Sequence, residues 1–438
     1  MNGKKIYQKI DVYQAVQKRL KTIFDTFDNI YVSFSGGKDS GLLLNLCIQY
    51  MRKHGITKKI GVFHQDFEAQ YTETTNYVER MMTSNPDLIE PYWVCMPMTV
   101  DVSTSAFQKY WIPWNPAEKD IWVREMPTHP CVINLDNHKF DFYKQAMLEG
   151  NLYAGFSPWY HNHVCGGQGK TICLVGIRTD ESLNRFRAIV RADKGMHPGL
   201  HWTTKMGEDI YSGYPLYDWG VEDVWTANAK FEFDYNKLYD LFYYAGASIH
   251  EMRVASPFLS FGTNSLKLYR AIEPNVWAKL LGRVQGCNFT SIYAGTGAMG
   301  WKNIKLPPNH TWKSYLDLLL STLPEDTRKN YEEKFTTSID FWFKKGGVLS
   351  TETIDELKGL GINITLQGKS NYKSDKQRVT FEDYPDDLDV KEFQSVPSYK
   401  RMAICILKND HLCKYMGFSQ TKAETEKRKA AMEKYKNL

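Results

Sequence analysis

The sequence predicts an α/β fold: a doubly wound, mainly parallel sheet, followed by a mostly helical C-terminal region. Three observations carry that expectation. Apolar strand-type runs alternate with helical patterns over the first hundred residues, which is the signature of βαβ units and a sheet covered on both faces. A glycine turn joins the first strand to the following helix in "VSFSGGKDSGLLLNL", residues 32–46. Beyond residue 225, helical patterns dominate.

The elements follow in order. Residues 11–28 read as an amphipathic helix leading into a first strand, Ile30–Phe34, whose apolar, β-branched and aromatic side chains suit a buried strand. A helix from about 41 to 54 follows, with Ser40 or Asp39 able to cap its start. "KIGVFHQDF" reads as the second strand, "TETTNYVERMMTS" as the next helix and "YWVCMPMTV" as a third strand. Residues 103–165 break the pattern. Their Trp- and Pro-rich core, "YWIPWNPAEKDIWVREMPTHPC", predicts an irregular insertion, either covering a substrate or forming a satellite aromatic core. "ICLVGI" predicts a strand after it. The sequence divides at about 245, with helical segments "YNKLYDLFYYAG", "PNVWAKLLGRV", "WKSYLDLLLSTL" and "RKNYEEKFTTSIDFWFKKG" around and after that point. A polar stretch at 367–395 reads as a linker, so the expected domains are 1–245 and 246–438.

The glycine turn has a chemistry of its own. Gly36 and Gly37 permit positive φ and close approach of a ligand to the backbone. The helix start directs free N–H groups and the positive end of its dipole into the same place. A nucleotide phosphate is the expected occupant, the plain βα turn being the alternative. Ser35, Gly36, Gly37, Lys38, Asp39 and Ser40 would wrap the phosphates, with hydroxyls and N–H groups as neutral donors and Lys38 as the charge. Asp39 suits a Mg²⁺ ligand or a helix cap. A side chain at position 36 is expected to fill the phosphate space. The turn is not a Walker A loop, which needs G-x-x-x-x-G-K-[ST]. "GGQGKT", residues 166–171, fails that pattern too, because position 164 is Val164, and it reads as a surface loop entering a strand.

In open parallel sheets, ligands sit outside the carboxyl ends of the strands. The Ser35–Ser40 turn, the loop at Gln65 and Asp66 and the loop Arg178–Ser182 all follow strands, so they are expected to converge at one edge.

The motif SGGKDS resembles the signature of the PP-loop ATP pyrophosphatases, which split ATP between its α and β phosphates. "VGIRTDESLNRFRA" (175–188) and "YPLYDWGVEDVW" (214–225) resemble segments of the phosphoadenosine phosphosulfate (PAPS) reductase family. "RAIEPNVWAKLLGRVQG", "SIYAG" and "VPSYKRMAICILKNDHLCKYMGFS" resemble a narrower subfamily, the immunoglobulin-binding regulator A-like (YbdN-like) proteins, which join such a domain to a C-terminal domain of unknown function. The resemblance spans nearly the whole chain apart from about 347–392. It implies an adenine nucleotide α-hydrolase-like fold and binding of ATP or an adenylyl-sulfate nucleotide with Mg²⁺. Ser33 and the Ser35–Ser40 turn are implied phosphate residues, and Asp66 would lie near adenine or ribose unless it caps the strand end. The second cluster would be Arg178, Asp180, Glu181, Ser182 and Arg185, with Arg178 as the anion ligand, since a guanidinium fork suits sulfate, phosphate or carboxylate. Arg187 reads as an exposed helix charge, and the Asp218–Trp219 pair as architecture. Lys267, Arg270 and Arg283 would complete an acceptor pocket or be surface charge. The implied reaction adenylates an unidentified acceptor, with Lys38, Asp39 and Arg178 as its catalytic residues. The alternative is a nucleotide-dependent regulatory module, since such relatives often accompany a ParB/sulfiredoxin-like partner. PAPS reduction is a second alternative, but the E-C-G-x-H motif and any C-C or C-x-x-C pair are missing.

Composition bounds the rest. The chain has 438 residues, 14% aromatic, and a net charge of +5, too mild by itself to specify nucleic acid. The charged C-terminal tail reads as a solvated helix, with nucleic-acid contact as a minor alternative. No apolar run reaches membrane-span length, no export signal is read, and eight scattered cysteines fit a reducing cytoplasm. His161, His163, Cys165 and Cys173 are zinc-type donors in a non-standard spacing, so zinc stands as an expectation beside a structural-cysteine reading.

Overall fold

The computed structural model describes residues 8–105, 107–190, 195–249, 252–259, 262, 266–288, 306–369 and 376–418. The chain forms two compact units: Met1–Val100, Ile112–Pro257 and Lys267–Arg283 in the first, and Asp101–Trp111, Phe258–Leu266 and Val284–Leu438 in the second.

In the first unit, α1 (Val12–Thr26) is capped by Asp11, whose carboxylate accepts the Gln14 N–H, and it leads into β1 (Asn29–Ser33). Then come α2 (Lys38–His54), β2 (Ile60–Gln65), α3 (Thr72–Thr83) and β3 (Ile89–Val94). α2 thus starts inside the glycine turn, three residues earlier than its apolar pattern suggests. The expected irregular stretch 103–165 itself supplies β4 (Val132–Ile133) and α4 (Glu149–Trp159), and after it come β5 (Thr171–Val175), α5 (Leu183–Val190), the hairpin β6 (Thr203–Gly207) and β7 (Ile210–Gly213), α6 (Val221–Lys230) and α7 (Leu238–Tyr244).

The seven strands lie in the order β4-β3-β2-β1-β5-β7-β6. All neighbours are parallel except the β6–β7 hairpin at one edge. The expected doubly wound, mainly parallel sheet is therefore the observed one. Its central strands are buried on both faces, which is why they read as continuous apolar runs. Val32, Val62, Trp93 and Leu174 share a core with Leu20 of α1, Leu43 of α2 and Val78 of α3. Tyr31, Phe63 and Tyr92 point the other way, onto Phe156 of α4. The GGQGKT segment is a loop entering β5; Gly166, Gly167 and Gly169 all have positive φ.

β2 also buries His64, whose Nδ1–H donates to the Phe34 carbonyl at 2.8 Å. Burial holds this imidazole below its ordinary pKa. The unfolded chain therefore takes the proton first, and stability present above about pH 6.5 is lost as pH falls toward the lower native value. Chemical denaturation at pH 7.5 and 5.5 should show a loss on the order of 1 kcal/mol that His64→Asn, which keeps a donor for Phe34, reduces. An unchanged loss in that variant would assign the pH dependence elsewhere.

In the second unit, helices Trp312–Ser321, Glu325–Asp340 and Tyr399–Leu407 enclose a core containing Tyr331, Phe335, Met402, Cys405 and Cys413. Strands Gly347–Leu349, Gln377–Phe381 and Ile364–Lys369 form an antiparallel sheet in that order. The expected linker over 367–395 thus contains structure: Val379, Phe381, Leu388 and Val390 pack with Leu349 and Leu357. Its few apolar residues alternate in "QRVTF", a half-buried strand diluted by polar neighbours. The tail 422–438 and the SIYAG segment lie outside the described residues. Among the described residues, no helix is long and apolar enough to cross a membrane.

Candidate functional site

β1 lies between β2 and β5, so the chain leaves it toward one side and later returns on the other. The crevice between the β1 and β5 ends is the topological switch point, where open α/β sheets bind ligands. Two loops border it, Ser35–Ser40 and Gly176–Glu181, and they meet closely. A side-chain carbon on Gly176 would lie 2.8 Å from the Asp39 carbonyl carbon, so only glycine fits there.

The turn is built by its own polar atoms. Gly36 takes φ +75°. Ser40 Oγ accepts the Ser35 N–H at 3.1 Å and lies 3.0 Å from Ser35 Oγ, while Ser35 Oγ accepts the Gly37 N–H at 3.3 Å. Lys38, Asp39 and Ser40 open α2 and are all buried. Asp39 sits between two cations: Oδ1 accepts Arg178 Nε at 2.6 Å, and Oδ2 lies 3.3 Å from Lys38 Nζ. Arg178 is buried and also bonds Asp180 Oδ1 at 2.5 Å through its Nη1. Glu181 pairs with Arg185 and accepts the Arg178 N–H at 3.4 Å. Ser182 Oγ accepts the Arg185 N–H at 3.3 Å. Arg187 is exposed. The acidic members of the second cluster therefore hold arginines, and Arg178 is spent on carboxylates from both loops.

Ser33 ends β1 in this region. Asp66, at the end of β2, is enclosed: it accepts the Trp93 indole N–H at 2.7 Å and the Glu68 N–H at 2.8 Å, and pairs with Arg124. Burial alone would raise its carboxyl pKa, but Arg124, His64 and these N–H donors hold it below the usual range. The strand-end cap is thus the role its contacts describe. Asp218 forms a bidentate pair with Arg19 of α1, at 2.8 and 2.5 Å, and Trp219 packs in the core, both architectural.

Several residues that shape this edge lay outside the sequence reading. Asn236 is fully buried, and its Nδ2 donates to the Gly36 carbonyl at 2.9 Å and to Thr74 Oγ1 at 3.0 Å. The Tyr239 hydroxyl accepts the Lys38 N–H at 3.0 Å. Both come from "YNKLYDLF", whose helical pattern gives no hint of a loop clamped on a distant turn. Glu68 is fully buried at φ +65° and holds Arg283 through both carboxylate oxygens, at 2.9 and 3.2 Å. Arg283 also pairs with Glu118 at 2.7 Å. It is accordingly neither surface charge nor a free acceptor ligand. Arg270 is exposed, and the Lys267 side chain lies outside the described residues.

The four zinc-type donors do not come together, which corrects the zinc expectation. His161 Nδ1 lies 2.7 Å from Thr171 Oγ1, and His163 pairs with Asp141 at 3.4 Å. Cys173 faces Tyr153 at 3.6 Å inside the sheet, where burial raises its thiol to about 11. His161 and His163 lie in the helical turn Tyr160–Val164 and Cys173 in β5, and each of the three is engaged with a partner of its own. Among the described residues, no group of three His, Cys, Asp or Glu side chains is placed to hold a metal.

Comparison with known proteins adds the following. Residues 246–427 match a family described as a domain of unknown function (DUF3440). The uncharacterized protein YbdN of Escherichia coli (strain K12) is 33% identical over 429 residues, covering 97% of this chain and 94% of that protein. Among solved structures, PAPS reductase from Candida auris in its phosphate complex is 14% identical, over 55% of this chain and 94% of that one, with a TM-score of 0.26. Candida glabrata FMN adenylyltransferase with FMN and an ATP analogue is 14% identical, over 54% and 63%, at 0.30. The tRNA thiolase NcsA from Methanococcus maripaludis is 11% identical, over 65% and 80%, at 0.31.

Proposed function

We propose a function for this chain from one premise: it belongs to the family of the Escherichia coli protein YbdN. The chain binds ATP, or a related adenine nucleotide, with its phosphates on the Ser35–Ser40 turn. It cleaves the bond between the α and β phosphates and transfers the adenylyl group to an acceptor whose identity is open. The observation that carries this reading is the turn itself: a glycine-built helix start at the switch point, with two serine hydroxyls and Lys38 gathered on it.

Each residue has a place in the chemistry. Hydroxyls of Ser35 and Ser40 and the N–H groups of the turn hold phosphate oxygens, and Lys38 offsets their charge. Asp39 Oδ1 is held by Arg178, so Oδ2, only 3.3 Å from Lys38 Nζ, is the oxygen that would hold Mg²⁺ carried by the nucleotide, since that ion takes one or two carboxylates together with phosphates and waters. When bound, the metal neutralises charge around the α-phosphorus. Arg178 orients Asp39 and keeps a cation beside the phosphates.

Equilibrium binding of Mg²⁺-ATP, followed by pyrophosphate release, tests the reading. Arg178→Lys should weaken ATP binding or turnover about tenfold or more, because lysine cannot replace both the Asp39 and Asp180 bonds. Wild-type constants in that variant would remove Arg178 from the site. Absence of ATP binding by the native protein would remove the whole reading.

A second reading has its own support. Asp39 and Asp180 together already neutralise Lys38 and Arg178, which suits a module that senses nucleotide with little turnover, alone or with a ParB/sulfiredoxin-like partner. ATP binding without pyrophosphate release, with or without that partner, would favour it. PAPS reduction is the least supported: Cys405 and Cys413 are both fully buried, and burial pushes the Cys405 thiol well up.

A further inference from the structure

We propose that the Tyr239 hydroxyl is a phosphate ligand of the glycine turn, donating its proton to an oxygen of pyrophosphate or of a nucleotide's terminal phosphates. The inference rests on the nucleotide-binding reading above and names a ligand from outside the motif.

Three observations carry it. First, the hydroxyl is seated on the turn: Lys38 is the first residue of α2, and its N–H donates to the Tyr239 oxygen at 3.0 Å. This is one of the helix-terminal donors that an arriving anion addresses. Second, the hydroxyl has a proton to give. Among the described residues its hydrogen-bond partner is a donor, the Lys38 N–H, so the phenolic proton has no acceptor there. Burial, with Asp39 nearby, drives the phenol pKa upward, so it stays protonated at neutral pH. Third, the space beside it is open by design. Gly37 has φ −85°, a conformation any residue adopts. What a side chain there would meet is the Ser35 hydroxyl at 3.3 Å and the Tyr239 hydroxyl at 3.5 Å. The missing side chain leaves a gap rimmed by two hydroxyls, donor groups for one anionic oxygen.

The ring is held where this requires. It is 3% exposed, with Trp225 5.2 Å away edge-on and Phe242 at 6.1 Å. The same segment is fixed by Asn236 on the Gly36 carbonyl. The oxygen therefore cannot swing clear when an anion arrives. The phenol oxygen keeps accepting the Lys38 N–H while its free proton donates to a phosphate oxygen.

The test is calorimetric titration of the full-length native protein and Tyr239→Phe with pyrophosphate and with Mg²⁺-ATP. The expected result is about ten- to hundredfold weaker binding of both ligands in the variant, the size of a lost hydrogen bond to a charged group. Because the variant also frees the Lys38 N–H, a second measurement isolates contact from support. With 3-fluorotyrosine at position 239 in an otherwise native chain, the fluorine resonance should shift on adding pyrophosphate. Equal affinity in Tyr239→Phe, or a fluorine signal that stays put while pyrophosphate binds, overturns the inference and leaves nucleotide binding standing. A native protein that binds neither ligand overturns the nucleotide reading itself.

Discussion

Glu68→Ala is expected to destabilise the first unit by about 3–5 kcal/mol, the usual result of removing one partner from a buried ion pair. Glu68 is fully buried. Its Oε1 accepts Arg283 Nε at 2.9 Å and the Val123 N–H at 2.9 Å. Its Oε2 accepts the Trp114 N–H at 2.8 Å and Arg283 Nη2 at 3.2 Å. Alanine leaves two buried N–H groups without an acceptor and takes from Arg283 its buried carboxylate partner, while the Glu118 pair and the Ile112 carbonyl bond stay. The Glu118 side chain is 42% exposed, so water screens what remains of the pair. The network also holds residue 68 at φ +65°, a region alanine tolerates poorly. Urea denaturation measures the loss. Replacing Glu68 and Arg283 together by Met should cost less than the single change, because no charge is then stranded. A Glu68→Ala cost under about 1 kcal/mol would mean the pair is screened in solution, as surface pairs are.

This cluster also marks where the sequence stops being legible. The four central strands, β3, β2, β1 and β5, could be read because each announces itself locally by a continuous apolar run, with a cap or a glycine at its end. The site edge could be read in part because loops after parallel strands converge by topology, which needs only strand order. Thus Asp39, Arg178 and Asp180 meet as loop neighbours should. Asn236 and Tyr239 could not be found that way. Their partners lie about two hundred positions away, and "YNKLYDLF" carries an ordinary helical pattern. Glu68 offered no signal, because an acidic residue in a loop normally faces water, and its burial is explained by distant partners: Arg283 and the Trp114 and Val123 N–H groups. The strand Gln377–Phe381 was hidden for the opposite reason: polar residues on its outer positions diluted a short apolar alternation.

Gly36→Val should abolish ATP binding by the native turn, a loss of at least about a hundredfold, or roughly 3 kcal/mol. The cause differs from the one the motif suggests. A side chain at 36 does not enter the space above the turn; its first carbon would lie 3.1 Å from Thr74 Cγ2 and 3.1 Å from Val78 Cγ2 of α3. Both contacts are tight, and valine adds two methyl groups beyond them. Overpacking of that kind costs about 1–3 kcal/mol. The φ of +75° adds strain, since a β-branched residue is a severe outlier there. The turn cannot relax by rotating the next peptide, because the Gly36 carbonyl is held by Asn236 at 2.9 Å. Valine therefore pushes the Ser35–Ser40 loop off α3, spoils the hydroxyl and N–H geometry, and lowers the melting temperature with the affinity. Gly37→Ala separates the two effects. At φ −85° alanine fits the backbone, while its methyl enters the gap between the Ser35 and Tyr239 hydroxyls. That variant should keep its melting temperature within a few degrees and still lose ATP binding. A folded Gly36→Val protein with native ATP affinity would detach the glycine turn from nucleotide binding, and with it the function argued from that turn.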